Sequence, residues 1–153
     1  MRGWLRTGLG FLAATQLVVG SWAVFLPAQF FALEVVGMGM AYNRHLMIDY
    51  GAMTLGSAVV LGAATVHMGQ WMTRTALVMY LAWAVPHFFV HLTMLGHLSQ
   101  PTATLLMVAL GLAIALPAGL LALTKQRRSD AHRRLAAPGD AGRTGPGDAP
   151  CRS

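Results

Sequence analysis

Long apolar runs separated by short polar breaks make up most of the chain. They cover about residues 8–26, 43–67, 71–95 and 103–124. At about 1.5 Å of rise per residue, each run is long enough to cross the roughly 30 Å hydrocarbon core of a bilayer as an α-helix. Lipid cannot satisfy exposed backbone groups, so helices are the expected form. The pattern predicts an all-α fold, a transmembrane four-helix bundle within residues 1–126.

Two segments depart from this pattern. The first, residues 27–42, is too short to span a membrane and too apolar for a solvated loop. It is typical of a short helix that lies in the membrane interface between the first two spans. The second, residues 127–153, is first basic and then rich in Pro, Gly, Ala and Asp. It has no apolar face to bury, which predicts a disordered basic tail.

Composition supports a membrane protein. Of the 153 residues, 56% are hydrophobic and only 10% are charged, whereas a soluble domain carries roughly 25% charged residues. A soluble fold so poor in charge would expose large apolar patches, so the expected partner is the lipid bilayer. The formal net charge of +6 does not indicate nucleic-acid binding, because seven of the 11 Lys and Arg residues follow residue 124.

The distribution of cations predicts the orientation. An even number of spans puts both termini on one side, together with Arg74 near the start of the third span. Arg44 is then the only Lys or Arg on the opposite side. Because cytoplasmic loops carry the excess of Lys and Arg, we expect a multi-pass protein of the cell membrane with cytoplasmic N and C termini.

Small residues recur at four-residue spacing within the spans. The repeats are Ala52-x3-Gly56, Ala58-x3-Gly62 and Gly111-x3-Ala115-x3-Gly119. This spacing lets helix backbones approach closely inside a bilayer. It predicts a packed bundle and says nothing about chemistry.

Ionisable side chains inside the spans are few, and four of them form two pairs. His45 and Asp49 are four residues apart in the second span, and His87 and His91 repeat that spacing in the third. Residues four apart share a helical face, and consecutive spans are normally antiparallel neighbours. We therefore expect the two pairs to converge near the outer end of the bundle. Ionisable groups within a membrane are costly, so such a cluster is a candidate functional site.

Four further residues surround this predicted site. Asn43 is placed to cap the second span, next to Tyr42, and Glu34 and His97 lie in the outer loops, where they can close over the site. Three imidazoles and a carboxylate suit a Zn, Fe or Cu ion. Asp49 and one histidine are alternatively an acid–base pair, since His titrates nearest neutrality. A third interpretation is a structural hydrogen-bond network that locks the two helices together.

The order of these features resembles small bacterial four-helix membrane proteins of the DoxX-like kind. The resemblance covers about residues 5–124 and rests on an Arg-started first span, Pro27-x-x-Phe30, Tyr42-Asn-x-His-Leu-x-x-Asp-x-Gly51 and Pro86-His-x-x-x-His91. It implies the four-span architecture and, through the name DoxX, a subunit of a thiosulfate:quinone oxidoreductase. A lipophilic molecule such as a quinone, or a partner membrane subunit, is then the expected ligand.

Two functions remain open on these grounds. The first is a metal-dependent or quinone-linked membrane enzyme or redox subunit, with catalytic or metal-binding roles for His45, Asp49, His87 and His91. The alternative is a non-catalytic assembly partner or a small transporter in which the His/Asp cluster is structural.

Overall fold

The computed structural model describes residues 2–136, and the side chains from residue 3 to residue 124. This part of the chain contains only helices and the turns between them. In chain order the helices are α1 Arg2–Phe25, α2 Pro27–Phe31, α3 Glu34–Gly37, α4 Arg44–His67, α5 Gln70–Thr93 and α6 Gln100–Ala136, with a 3-10 turn at Leu95–His97 before α6.

Four of these helices are long and apolar enough to cross a membrane. The candidate spans are Gly3–Phe25, Arg44–His67, Gln70–Thr93 and Gln100–Thr124. They confirm the predicted all-α four-helix architecture. The predicted short helix of residues 27–42 is instead two helical segments, α2 and α3, because Ala32 and Leu33 interrupt the helical pattern.

Local residue chemistry explains where several helices begin and end. Pro27 opens α2, where its missing N–H is not needed. The Asn43 side-chain oxygen accepts a hydrogen bond from the Leu46 N–H at 3.1 Å, which confirms the predicted cap of α4. At the other end of α4, Met68 adopts a left-handed conformation with φ of 50°. The chain therefore turns at once into the antiparallel α5.

The last helix continues beyond the predicted end of the membrane domain. The helix α6 runs through Ala136, so residues 127–136 are helical where the sequence predicted disorder. The remainder of the predicted disordered tail, residues 137–153, lies outside the described residues.

Two glycines allow α1 and α4 to pack with their backbones in contact. A Cβ atom at Gly51 would lie 2.9 Å from the Val24 backbone nitrogen, and one at Gly20 would lie 2.9 Å from the Leu55 backbone nitrogen. By contrast, a Cβ at Gly56, Gly62, Gly111 or Gly119 would meet no atom within 4 Å. The glycines of the predicted small-residue repeats therefore face open space in the described chain, and different glycines make the close contact.

The four long helices pack side by side in the order α1, α4, α5, α6, and α1 meets α6 much less extensively. An open apolar groove of about 1170 Å³ lies between α1 and α6. Leu9, Leu61 and Leu77 are fully buried in the core at the end of the bundle where α5 begins. At the opposite end Phe30 of α2 packs with Ala23 and Met47, and this contact fixes the short helices over the bundle.

Candidate functional site

The inner face of α4 contributes Met47 and Tyr50 to the candidate site. Met47 is 8% exposed, and Tyr50 is partly buried beside the cluster that Met47 forms with Ala23 and Phe30. The Tyr50 ring stacks on Phe30 with centroids 6.0 Å apart. Met47 and Tyr50 are three residues apart and so share a helical face, and that face is turned towards α5.

Three rings at four-residue spacing line the facing side of α5. His87 stacks on Trp83 with a centroid distance of 4.7 Å and an interplanar angle of 19°. His91 meets His87 edge-on at 4.5 Å, and Tyr50 lies 6.3 Å from His87 across the helix interface. The two histidines of α5 therefore sit side by side within an aromatic cluster.

These residues open onto a cavity of about 260 Å³, which we call the methionine pocket. It is bounded by α2, α3, the α3–α4 loop, α4, α5, the residue after α5, and α6. Its lining consists of apolar side chains, four of them methionines, together with one tyrosine and two histidines: Phe30, Val35, Val36, Met38, Met40, Met47, Tyr50, His87, Val90, His91, Met94, Leu106 and Leu110.

One polar atom in this wall has no partner within the described chain. The Nδ1 atom of His91 is buried and makes no hydrogen bond. Buried polar groups in folded proteins nearly always have a partner, and leaving one unpaired costs about 1–3 kcal/mol. His91 also lines the pocket, so a residue with an unpaired ring nitrogen belongs to the pocket wall.

The other predicted pair, His45 and Asp49, lies on the outer surface of α4. Their side chains are 87% and 60% exposed, and His45 Nε2 lies 3.2 Å from Asp49 Oδ2. Asp49 is two residues from both Met47 and Gly51, which puts it about 200° around the helix from them at about 3.6 residues per turn. Both of those residues are buried, so Asp49 points away from the bundle.

The predicted meeting of the two pairs is therefore wrong. Neither His45 nor Asp49 lines the methionine pocket. Among the side chains described, from residue 3 to residue 124, no group of three or more His, Cys, Asp or Glu could hold a metal ion. The structure does not support the predicted four-residue Zn, Fe or Cu site. Of the histidines predicted as acid–base partners of Asp49, His45 lies beside it, whereas His87 and His91 line the pocket, which Asp49 does not reach.

The four secondary residues occupy separate positions near the same end of the bundle. Glu34 is exposed in the first turn of α3. Tyr42 packs on Phe31 with centroids 5.3 Å apart, and Asn43 caps α4. His97 lies against Gly39, where an added Cβ would be 3.2 Å from its Nδ1. None of the four lines the methionine pocket.

The sequence analysis missed Tyr50 and Trp83, which are the aromatic partners of His87 in the structure. A signal for Trp83 was present, since it precedes His87 by the same four residues that separate His87 from His91. A signal for Tyr50 was the spacing of Met47, Tyr50 and Thr54, which share one face of α4.

Comparisons with protein-family models, with curated proteins and with solved structures found no match.

Proposed function

We propose that the chain is a membrane protein that binds a small lipophilic molecule in the methionine pocket, with His87 and His91 as its polar contacts. The observation that carries this proposal is the buried, unpartnered Nδ1 of His91. Ligand pockets are typically apolar cavities with a few placed polar groups. A mostly apolar wall with two adjacent imidazoles fits that description.

The size and lining of the pocket favour a ring-sized group. Its volume of about 260 Å³ is just below the roughly 300–1000 Å³ of pockets for drug-sized ligands. Methionine side chains are flexible and polarisable, so they adapt to a flat ring. The resemblance to DoxX-like proteins favours a quinone headgroup, whose carbonyl oxygens accept hydrogen bonds from imidazole N–H groups. Under this proposal the chain serves as a quinone-linked redox subunit, and His87 or His91 can exchange a proton with the ring.

Calorimetric titration of the detergent-purified protein with a short-chain benzoquinone tests this function. His91→Phe keeps a ring in place but removes Nδ1, and we expect binding to weaken about three- to tenfold, the range for one hydrogen bond. His67→Phe is the matched control, because His67 is exposed at the far end of α4. Equal affinity of the His91→Phe variant and the unchanged protein would refute the role of His91. Absence of binding to the unchanged protein would refute the quinone assignment.

A second function, that of an assembly partner, is favoured by the outer face of α4. His45, Asp49, Ala52 and Gly56 are all exposed there. A carboxylate in a membrane helix usually faces other protein instead of lipid. Small residues at four-residue spacing let two helices pack closely. The His45–Asp49 pair lies within one helix, so it does not lock two helices of this chain together. Replacing Ala52 and Gly56 by leucine should abolish association with a second subunit, measured by cross-linking in native membranes. Replacing the exposed Leu17 and Val18 of α1 by alanine should leave that association unchanged.

A further inference from the structure

Arg74 is a membrane-domain cation whose counter-ion is not supplied by the described side chains. It lies in the second turn of α5 and is partly buried. Glu34 and Asp49 are the only acidic residues among residues 3–124, and both belong to the opposite end of the bundle. A partly buried charge in a low-dielectric surrounding is unfavourable unless an opposite charge approaches it. An anion that reaches this position would therefore be stabilised.

Arg74 also lines a groove of about 620 Å³ on the surface of α5. The other lining residues change from polar to apolar along the helix: Gln70, Trp71, Thr75, Val78 and Met79. From Arg74 to Val78 the helix rises by about 6 Å towards the centre of the span. The groove therefore has a cationic, hydrogen-bonding mouth and an apolar end formed by Val78 and Met79, which is the polarity of a phospholipid.

Two further contacts place and shape this mouth. Trp71 is 86% exposed beside it, and tryptophan side chains prefer the level of lipid headgroups. The Gln70 side-chain N–H donates to the Thr124 carbonyl oxygen at 3.3 Å, which joins the start of α5 to α6. The mouth of the groove is thus fixed at the membrane surface.

We propose that this groove binds an anionic phospholipid, with its phosphate on the Arg74 guanidinium and an acyl chain along Val78 and Met79. A guanidinium matches a phosphate with two parallel hydrogen bonds. A zwitterionic lipid carries its own cation, which competes with Arg74, so an anionic headgroup binds better. The apolar end of the groove distinguishes a lipid from free phosphate, which has nothing to place there. This site is independent of the methionine pocket at the other end of the bundle.

Bromine on a lipid acyl chain quenches tryptophan at short range, so Trp71 is a local reporter for the groove. The full chain is placed in phosphatidylcholine vesicles that contain a small fraction of brominated phosphatidylglycerol or of brominated phosphatidylcholine. The Trp71 signal is the difference between the unchanged protein and its Trp71→Phe variant. We expect the anionic lipid to quench about fivefold more effectively at equal fraction, as roughly 1 kcal/mol per cation implies. Unlabelled phosphatidylglycerol must relieve the quenching.

The variants identify the residue responsible. In Arg74→Gln, measured with and without the Trp71→Phe change, the two brominated lipids should quench Trp71 almost equally, so that the ratio of their quenching is close to one. Arg44→Gln, which removes the other cation of residues 7–124 from the opposite end, should leave it unchanged. An undiminished ratio in a folded Arg74→Gln protein would overturn the proposal. So would equal quenching by both lipids in the unchanged protein, a measurement that needs no Arg74 variant. Relief of quenching by millimolar inorganic phosphate would show a site for free phosphate instead of lipid.

Discussion

At the scale of single residues, identical spacing leads to opposite surroundings. His87 and His91 are four residues apart and face the methionine pocket, whereas His45 and Asp49, also four apart, lie on the outside of α4. The difference arises from the rotation of each helix about its own axis. That rotation depends on which neighbours the helix packs against, and spacing within one helix does not reveal it.

The first prediction concerns Asp49. Side-chain pairs four residues apart on the surface of a helix contribute only about 0.2–0.5 kcal/mol, so Asp49→Asn should change the free energy of unfolding by less than about 1 kcal/mol. The same variant should leave ligand binding at the methionine pocket unchanged, because Asp49 does not line it. Denaturant unfolding in detergent micelles and calorimetric titration measure the two effects. A loss of pocket binding with unchanged stability would show that Asp49 acts on the site after all.

At the scale of helices and turns, apolar length predicts the spans well. The second span was expected at residues 43–67 and is Arg44–His67; the third was expected at 71–95 and is Gln70–Thr93. The contacts between spans were not predictable in the same way. Small residues are frequent in membrane helices, so four-residue spacing also occurs on faces that contact no other helix of this chain, as at Gly56 and Gly111. Only the packed neighbours distinguish Gly20 and Gly51 from the rest.

A matched pair of glycine substitutions on α4 tests this contact. In Gly51→Ala the new methyl group meets the backbone of α1, with the Val24 nitrogen at 2.9 Å, so we expect destabilisation by about 1–3 kcal/mol, the usual cost of overpacking. In Gly56→Ala the methyl group meets nothing within 4 Å, and alanine is the better helix former. Thermal melting should therefore show a lower Tm for Gly51→Ala only. Equal melting temperatures would mean that α1 and α4 are less closely packed than described.

The cap of α4 gives a second prediction at this scale. Asn43→Ala removes the acceptor for the Leu46 N–H, and loss of such a cap costs about 1 kcal/mol. Asn43→Ser and Asn43→Asp keep an acceptor and should retain most of the stability. Melting of the three variants side by side provides the measurement, and a stable alanine variant would show that water at the membrane surface replaces the cap.

At the scale of the whole molecule, four spans and a one-sided charge distribution determine the expected orientation. The four candidate spans are present, and the side on which the termini lie stays a prediction. Reporter fusions at Met1 and at Ser153 should both show a cytoplasmic location, because Arg44 alone of the 11 Lys and Arg residues falls on the other side. Arg74→Glu together with extra lysines near Arg44 shifts positive charge to the outer side, and this variant should insert in a mixed orientation. Fusions at the two ends that report opposite sides would contradict an even number of spans.

The close approach of α1 and α4 at Gly20 and Gly51 also has a consequence for biosynthesis. Of the four described spans, these two leave the ribosome before the others, and their contact needs no residue beyond His67. Translation adds about 5–20 residues per second, so synthesis of α5 is complete roughly 1–5 s after that of α4. The nascent chain can therefore complete one helical hairpin in the bilayer before α5 enters. The hairpin then provides a packed surface that the histidine-bearing end of α5 can join as soon as it is inserted.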